Sequence, residues 1–284
     1  MAAKKQGAGG FSHYYRFLTK WASSQKLKAE KFTLILSPHV DDAFLSLYST
    51  IVSGALGRNI VCVNVFSVSD SKVTTNTATD FSAIAGTSIT RLKEELEFAD
   101  HLQTKGVSYL PLFLGFNAEE IDLYYQFVAS RGARLLPSKV MRASAERFLR
   151  SYAARRAFRI RLRATLDTLV ENFGSGVGSV LVPIAAGGSL DHLMLRQAIG
   201  TFPNRFKVGL YADVPYTHEY GVDSIHALHE KATKEFTRVQ QRKFDAGERI
   251  RLFRKLYPSQ YSKDIDLALR SIGKSTGEVI FWNR

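Results

Sequence analysis

A chain of 284 residues, 45% hydrophobic and 23% charged, is long enough to bury a large core and too apolar to be disordered throughout. Its one cysteine, Cys62, excludes an intrachain disulfide framework, and no run approaches the ~20 apolar residues that cross a bilayer. The net charge of +13 is concentrated: Arg131 to Arg163 carries ten arginines and one lysine against Glu146 alone, so the basicity is a local surface property.

The first ten residues, MAAKKQGAGG, lack the apolar stretch of a secretory signal, so the expected location is cytoplasmic. Phe11, Tyr14, Tyr15, Phe17, Leu18 and Trp21 are spaced for an amphipathic helix over 11–28. KFTLILS, 31–37, reads as a buried strand, followed by a helix that starts at Asp41 or Asp42 and runs to Gly57. NIVCVNVFSV, 59–68, is a second apolar strand, in which Cys62 reads as a packed small hydrophobe. Ser, Thr, Asp, Ala and Gly over 69–87 predict a loop, and 88–102 a helix. A third strand covers 107–116, and 118–175 reads as mostly helical. A fourth strand, VLVPIAA, covers 180–186, then a helix starts at Asp191, and 206–213 is a fifth strand. From 222 onward the pattern is helical until a last short strand, EVIFW, over 278–282.

Alternating helices and continuously apolar strands predict a Rossmann-like, mostly parallel sheet with helices on both faces. The chain reads as a single α/β domain over 1–284. Its core covers about 30–220, with an Arg-rich helical insertion at about 118–175 and a helical C-terminal segment at about 222–284. Such sheets bind ligands in the loops at the carboxyl ends of their strands.

Two of those loops carry chemistry. Ser37-Pro38-His39-Val40-Asp41-Asp42 follows the first strand, and Gly187-Gly188-Ser189-Leu190-Asp191-His192 follows the fourth. Imidazole with carboxylate suits zinc and leaves room for water. If the fourth strand neighbours the first, His39, Asp42 and His192 face one another across one crevice. Taken singly, a histidine is more often structural, and Asp41 or Asp42 would serve equally as a helix N-cap.

The first of these segments resembles the His-Pro-Asp-Asp motif of the PIG-L/LmbE deacetylases, in the form with alanine after the paired aspartates. In the same order along the chain, Arg91-Leu92-Lys93-Glu94 is similar to the family's Arg-x-x-Glu, and LVPIAAGGSLDH, 181–192, to its strand and Asp-His segment. Tyr211 to Tyr216 resembles its Tyr-x-Asp-x-Pro-Tyr, and Tyr257-Pro258-Ser259-Gln260 a Tyr-x-Ser-Gln element. The resemblance implies His39, Asp42 and His192 as ligands of Zn2+, with another divalent metal as the alternative. It implies Asp41 as the general base toward the attacking water and Arg91 as a substrate-binding residue, and Asp213 and Tyr216 are grouped with it. The implied reaction removes an acetyl or other acyl group from the amine of an N-acylated sugar or glycoconjugate. One position departs from the family: Ser189 stands where many members carry a histidine that helps stabilise the oxyanion or protonate the leaving amine. A hydroxyl donates a hydrogen bond but is a poor general acid, and His218 is the candidate substitute.

Arg147, Arg150, Arg155, Arg156, Arg159 and Arg163 recur at helical spacing. They form either a solvated helix face or a lid for an anionic substrate. No nucleic-acid motif accompanies them, and nucleic acid is not the expected partner. Two other functions compete with the hydrolase: a non-catalytic metal- or glycan-binding relative on the same fold, and a polyanion binder that uses the arginine helix. The sequence does not specify an oligomeric state.

Overall fold

The computed structural model describes residues 31–69, 81–118, 152–185, 189–200, 202, 205–217 and 236–283. In chain order, they form β1 (Phe32–Ser37), α1 (Asp42–Val52), β2 (Asn59–Asn64), α2 (Phe81–Thr104), β3 (Ser108–Phe113) and α3 (Tyr152–Phe173). They continue with β4 (Val177–Pro183), α4 (Leu190–Ala198), β5 (Lys207–Tyr211), β6 (Phe236–Arg242), α5 (Ala246–Leu256), α6 (Lys263–Lys274) and β7 (Glu278–Asn283). The predicted helix over 11–28 and most of the predicted insertion lie outside the described residues.

The sheet has the order β3-β2-β1-β4-β5-β7-β6, in which β3 to β5 run parallel and β7 and β6 pair antiparallel. Side chains alternate across it with period two. Leu34, Leu36, Val61, Val63, Val180 and Val182 point to one face, where Leu162, Leu166 and Val170 of α3 and Leu195 of α4 cover them. Ile35, Ile60, Cys62 and Leu181 point to the other, under α1, α2, α5 and α6, where Phe44, Phe98, Phe253 and Leu269 pack. Both faces are covered, which is why these strands read as unbroken apolar runs. Gly209 in β5 has no alternative: a Cβ there would lie 2.4 Å from Leu181 Cδ2 and 2.9 Å from Ile280 and Trp282.

The Rossmann-like expectation holds, and the structure corrects two details. The loop expected over 69–87 ends earlier, because α2 begins at Phe81 and Ile84 and Thr87 are already buried on it. The segment from 222 onward is not helical throughout: 236–242, FTRVQQR, is strand β6. Edge position explains the miss, since Arg238, Val239 and Gln241 are exposed and, among the described residues, the strand pairs with β7 alone. The C-terminal segment therefore adds two antiparallel strands to the sheet as well as two helices.

β1 and β4 are neighbours, with Leu34 beside Val180 and Ile35 beside Leu181. The chain moves outward from β1 through β2 to β3, then returns to the other side of β1 to form β4. Strand order thus reverses between β1 and β4, the point at which open α/β sheets form a ligand crevice.

Candidate metal centre

The turn after β1 is shaped by its own side chains. Ser37 Oγ donates to the His39 carbonyl at 2.7 Å, and the His39 N–H donates to Asp42 Oδ2 at 2.7 Å. Asp42 is therefore folded back over the turn. The same Oδ2 lies 3.2 Å from His39 Nδ1 and 3.5 Å from His192 Nε2, which arrives from the first turn of α4. The structure thus brings His39, Asp42 and His192 together, with one ligand atom from each lying within 4.8 Å of the others.

Each imidazole is braced from behind. His39 Nε2 lies 3.0 Å from Asp191 Oδ2, and His192 Nδ1 lies 2.8 Å from Asp213 Oδ2. The second nitrogen of each ring is thereby turned toward Asp42, the arrangement that orients metal-ligating histidines. Burial alone would lower the His39 imidazole, but hydrogen bonds to Asp191 and Asp42 outweigh it and push it up to about 10. His192 is raised as well, its burial outweighed by the Asp42 charge and the Asp213 bond. Burial would raise the Asp42 carboxyl, yet the facing His192 and His39 hold it below the ordinary value.

The donor set fits a metal on an observation independent of motif. His192 is wholly buried, and among the described residues its Nε2 has no hydrogen-bond partner, only the Asp42 carboxylate oxygen facing it at 3.5 Å. An orphaned buried nitrogen is costly unless something binds it. Two imidazoles and a carboxylate with this outlook are a zinc-type ligand set.

Asp41 sits beside the triad as the N-cap residue of α1 but makes no capping bond. Its Oδ1 accepts from Arg91 Nη2 at 2.9 Å, and Arg91 Nη1 donates to Ser69 Oγ at 3.0 Å. Both are buried and both line a cavity of about 240 Å³ at the β1/β4 switch point. His39, Asp42, Ser189 and Tyr216 share that cavity. The Tyr216 ring stands edge-on to His192 with centroids 5.0 Å apart. Burial pushes its phenol above the ordinary value, and its hydroxyl is hydrogen-bonded to Ser189.

Asp213, grouped with the substrate-binding residues, is fully buried and is not part of the cavity wall. Its oxygens take the His192 ring and the Ala185 N–H, the latter at 3.1 Å. His218 lies outside the described residues. Of the arginines read as a lid, Arg159 donates to Gln197, Arg163 pairs with Asp167 at 3.7 Å, and the neighbouring Arg161 lies over the Phe116 ring. Among the described residues, no arginine of α3 lines the cavity. Cys62 is fully buried, and burial raises its thiol well above the ordinary value, so it is an inert core residue. Sequence reasoning did not assign a role to Asp191, nor to Gln260 and Ile265 on the cavity wall. Asp191 had one local signal, its place just before His192. Successive helix residues point about 100° apart, so Asp191 reaches the opposite histidine.

No helix of the described residues is long and apolar enough to cross a membrane. No family model and no curated protein sequence matches the chain. Solved structures do. The zinc-inhibited form of the teicoplanin deacetylase Orf2 is similar over 89% of this chain and 97% of its own, at 18% identity and a TM-score of 0.58. A deacetylase–teicoplanin complex gives 18% identity, the same TM-score, and coverage of 89% and 98%. The A40926 pseudoaglycone deacetylase Dbv21 gives 16% identity, a TM-score of 0.53, and coverage of 89% and 97%. At these identities the likeness is one of fold, and this chain has the Rossmann-like fold of those deacetylases along nearly their whole length.

Proposed function

We propose that this protein is a zinc-dependent amide hydrolase of the PIG-L/LmbE type that removes an acetyl or other acyl group from the amine of an N-acylated sugar or glycoconjugate. One observation carries the reading: a fully buried His192 Nε2, without a hydrogen-bond partner among the described residues, is turned onto Asp42 beside His39, next to a carboxylate that is not a member of the triad. The likeness of fold to glycopeptide deacetylases supports it.

His39, Asp42 and His192 would hold the zinc. When bound there, zinc supplies a Lewis acid for the amide carbonyl and lowers the pKa of water to about 7. Asp41 takes the proton of the attacking water, and Arg91 fixes the orientation of that carboxylate. Arg91 also lines the cavity, where a guanidinium suits sugar hydroxyls. The Ser189 and Tyr216 hydroxyls supply neutral donors for the carbonyl oxygen as it gains charge. Asp213 and Asp191 act as positioning residues behind the two histidines. His218 is proposed as the group that returns a proton to the leaving amine.

The test is acetate release from N-acetylglucosamine and its phosphorylated and glycosidic derivatives, with zinc-loaded wild type compared with Asp41→Asn. Release by wild type and a loss of more than about 100-fold in the variant is the expected result. Stoichiometric zinc with no release from any substrate would favour the non-catalytic relative, since Ser189 supplies no general acid.

A further inference from the structure

The loop between α5 and α6 is tied down by two adjacent carboxylates of α2. Glu94 accepts from the Ser259 N–H at 2.8 Å and from Ser259 Oγ at 2.7 Å. Glu95 accepts from the Tyr257 hydroxyl at 2.5 Å. Both carboxylates are buried, at 4% and 0% exposure. Burying charged or titratable groups costs several kcal/mol unless they are well paired, so this is an expensive way to hold a surface loop. What the loop presents inward is Gln260. It is 4% exposed, lines the cavity, and its Nε2 donates to Ser259 Oγ at 3.0 Å. The same helix holds the proposed base from the other side, since Arg91 precedes Glu94 by three residues and bonds Asp41. One helix therefore fixes two parts of the cavity wall through long-range contacts.

We propose that Gln260 is a substrate-contacting residue that reads a hydroxyl of the sugar, and that Glu94 is its positioning residue, acting through Ser259. A carboxamide combines donor and acceptor, which matches the double character of a hydroxyl. A side chain anchored at both its backbone and its amide loses little rotamer freedom on contact. This inference rests on the deacetylase reading and deepens it: the substrate class is an amino sugar with a free hydroxyl at the contacted position.

The experiment uses zinc-loaded full-length protein with N-acetylglucosamine and its monodeoxy analogues, followed by acetate release and by ligand-observed NMR binding. Wild type should discriminate against one deoxy analogue. Gln260→Ala should raise KM for the parent sugar by about 3- to 10-fold, the scale of one hydrogen bond, with kcat and zinc content little changed. That variant should also lose the discrimination against the one analogue. Ser259→Ala should shift KM in the same direction and add nothing in the Gln260→Ala background, while Ser259→Thr restores it. Glu94→Gln should behave as Ser259→Ala does. If it fails to fold, the serine pair carries the test alone. Unchanged KM and unchanged discrimination in Gln260→Ala would overturn the proposal while leaving the hydrolase intact. Full additivity of Ser259→Ala with Gln260→Ala would overturn the relay. A wild type that neither binds nor hydrolyses any N-acetylated sugar would overturn the deacetylase reading itself, and this inference with it.

Discussion

His39 has a carboxylate at each ring nitrogen, Asp42 at Nδ1 and Asp191 at Nε2, and this decides how it meets a metal. With the imidazole pushed up to about 10, the metal-free ring carries both protons at neutral pH. A metal at Nδ1 must displace one of them. Zinc binding at pH 7 should therefore release at least one proton, from His39 and, because its imidazole is raised as well, from His192. The apparent zinc affinity should rise at least about tenfold per pH unit between pH 6 and 8, as titration calorimetry in buffers of different ionisation enthalpy would show. No proton release would contradict the assignment of His39 as a ligand. The bracing aspartates give a second expectation. Asp213→Asn and Asp191→Asn should each weaken zinc binding by about 10- to 100-fold, read by competition with a chelator, because each leaves a ligand ring without its anionic support. The sequence could not separate these roles. Asp213 and Asp191 both lie in recognisable motifs, but which histidine each one reaches depends on contacts spanning 21 and 152 residues.

At the scale of elements, α2 carries more than its amphipathic pattern suggests. Glu95 lies fully buried among the Tyr257 and Tyr109 hydroxyls and the Asn64 amide. Burial outweighs those bonds and raises its carboxyl from 4.5 to about 7. A group held neutral in the folded state and ionised in the unfolded state stabilises the fold fully below about pH 4.5. It loses that advantage as the pH rises to about 7. The difference in unfolding free energy between wild type and Glu95→Gln should thus fall by about 3 kcal/mol from pH 4 to pH 8, in urea titrations. A constant difference would show that Glu95 does not titrate in that window. The second buried anchor joins α5 to β7 and α1. Arg249 is 1% exposed and bonds Glu278, whose oxygens also take the N–H groups of Ser49 and Thr50 at 2.7 Å. Arg249→Met should cost about 3–5 kcal/mol in the same assay by stranding a buried carboxylate. Neither anchor was legible beforehand, since a buried Arg or Glu in a helix looks the same in sequence as a solvated one. β6 escaped for the converse reason: its exposed edge removes the apolar signal by which the other strands were read.

The parallel core was legible at the scale of the molecule because every strand from β1 to β5 is buried on both faces and says so in its composition. Which strands are neighbours was not, and on that the site depends. His39 and Asp42 follow β1, while His192 follows β4, and only the reversal of strand order between them makes one crevice from two turns. A metal held there would tie the two halves of the sheet at their switch point. Unfolding must then release it, so binding adds to global stability as RT ln(1 + [metal]/Kd). At a free zinc concentration about 1,000 times Kd, the gain is about 4 kcal/mol. For a chain of this size that raises the melting temperature by about 10 °C. Calorimetry with and without zinc should show that shift in wild type and in Asp41→Asn, because Asp41 is not in the triad. It should vanish in His192→Ala, which removes the triad member supplied by the β4 half. If Asp41→Asn lost the shift together with His192→Ala, Asp41 would be a ligand and not the base. If neither variant lost it, the stabilising metal would lie elsewhere than at the switch point.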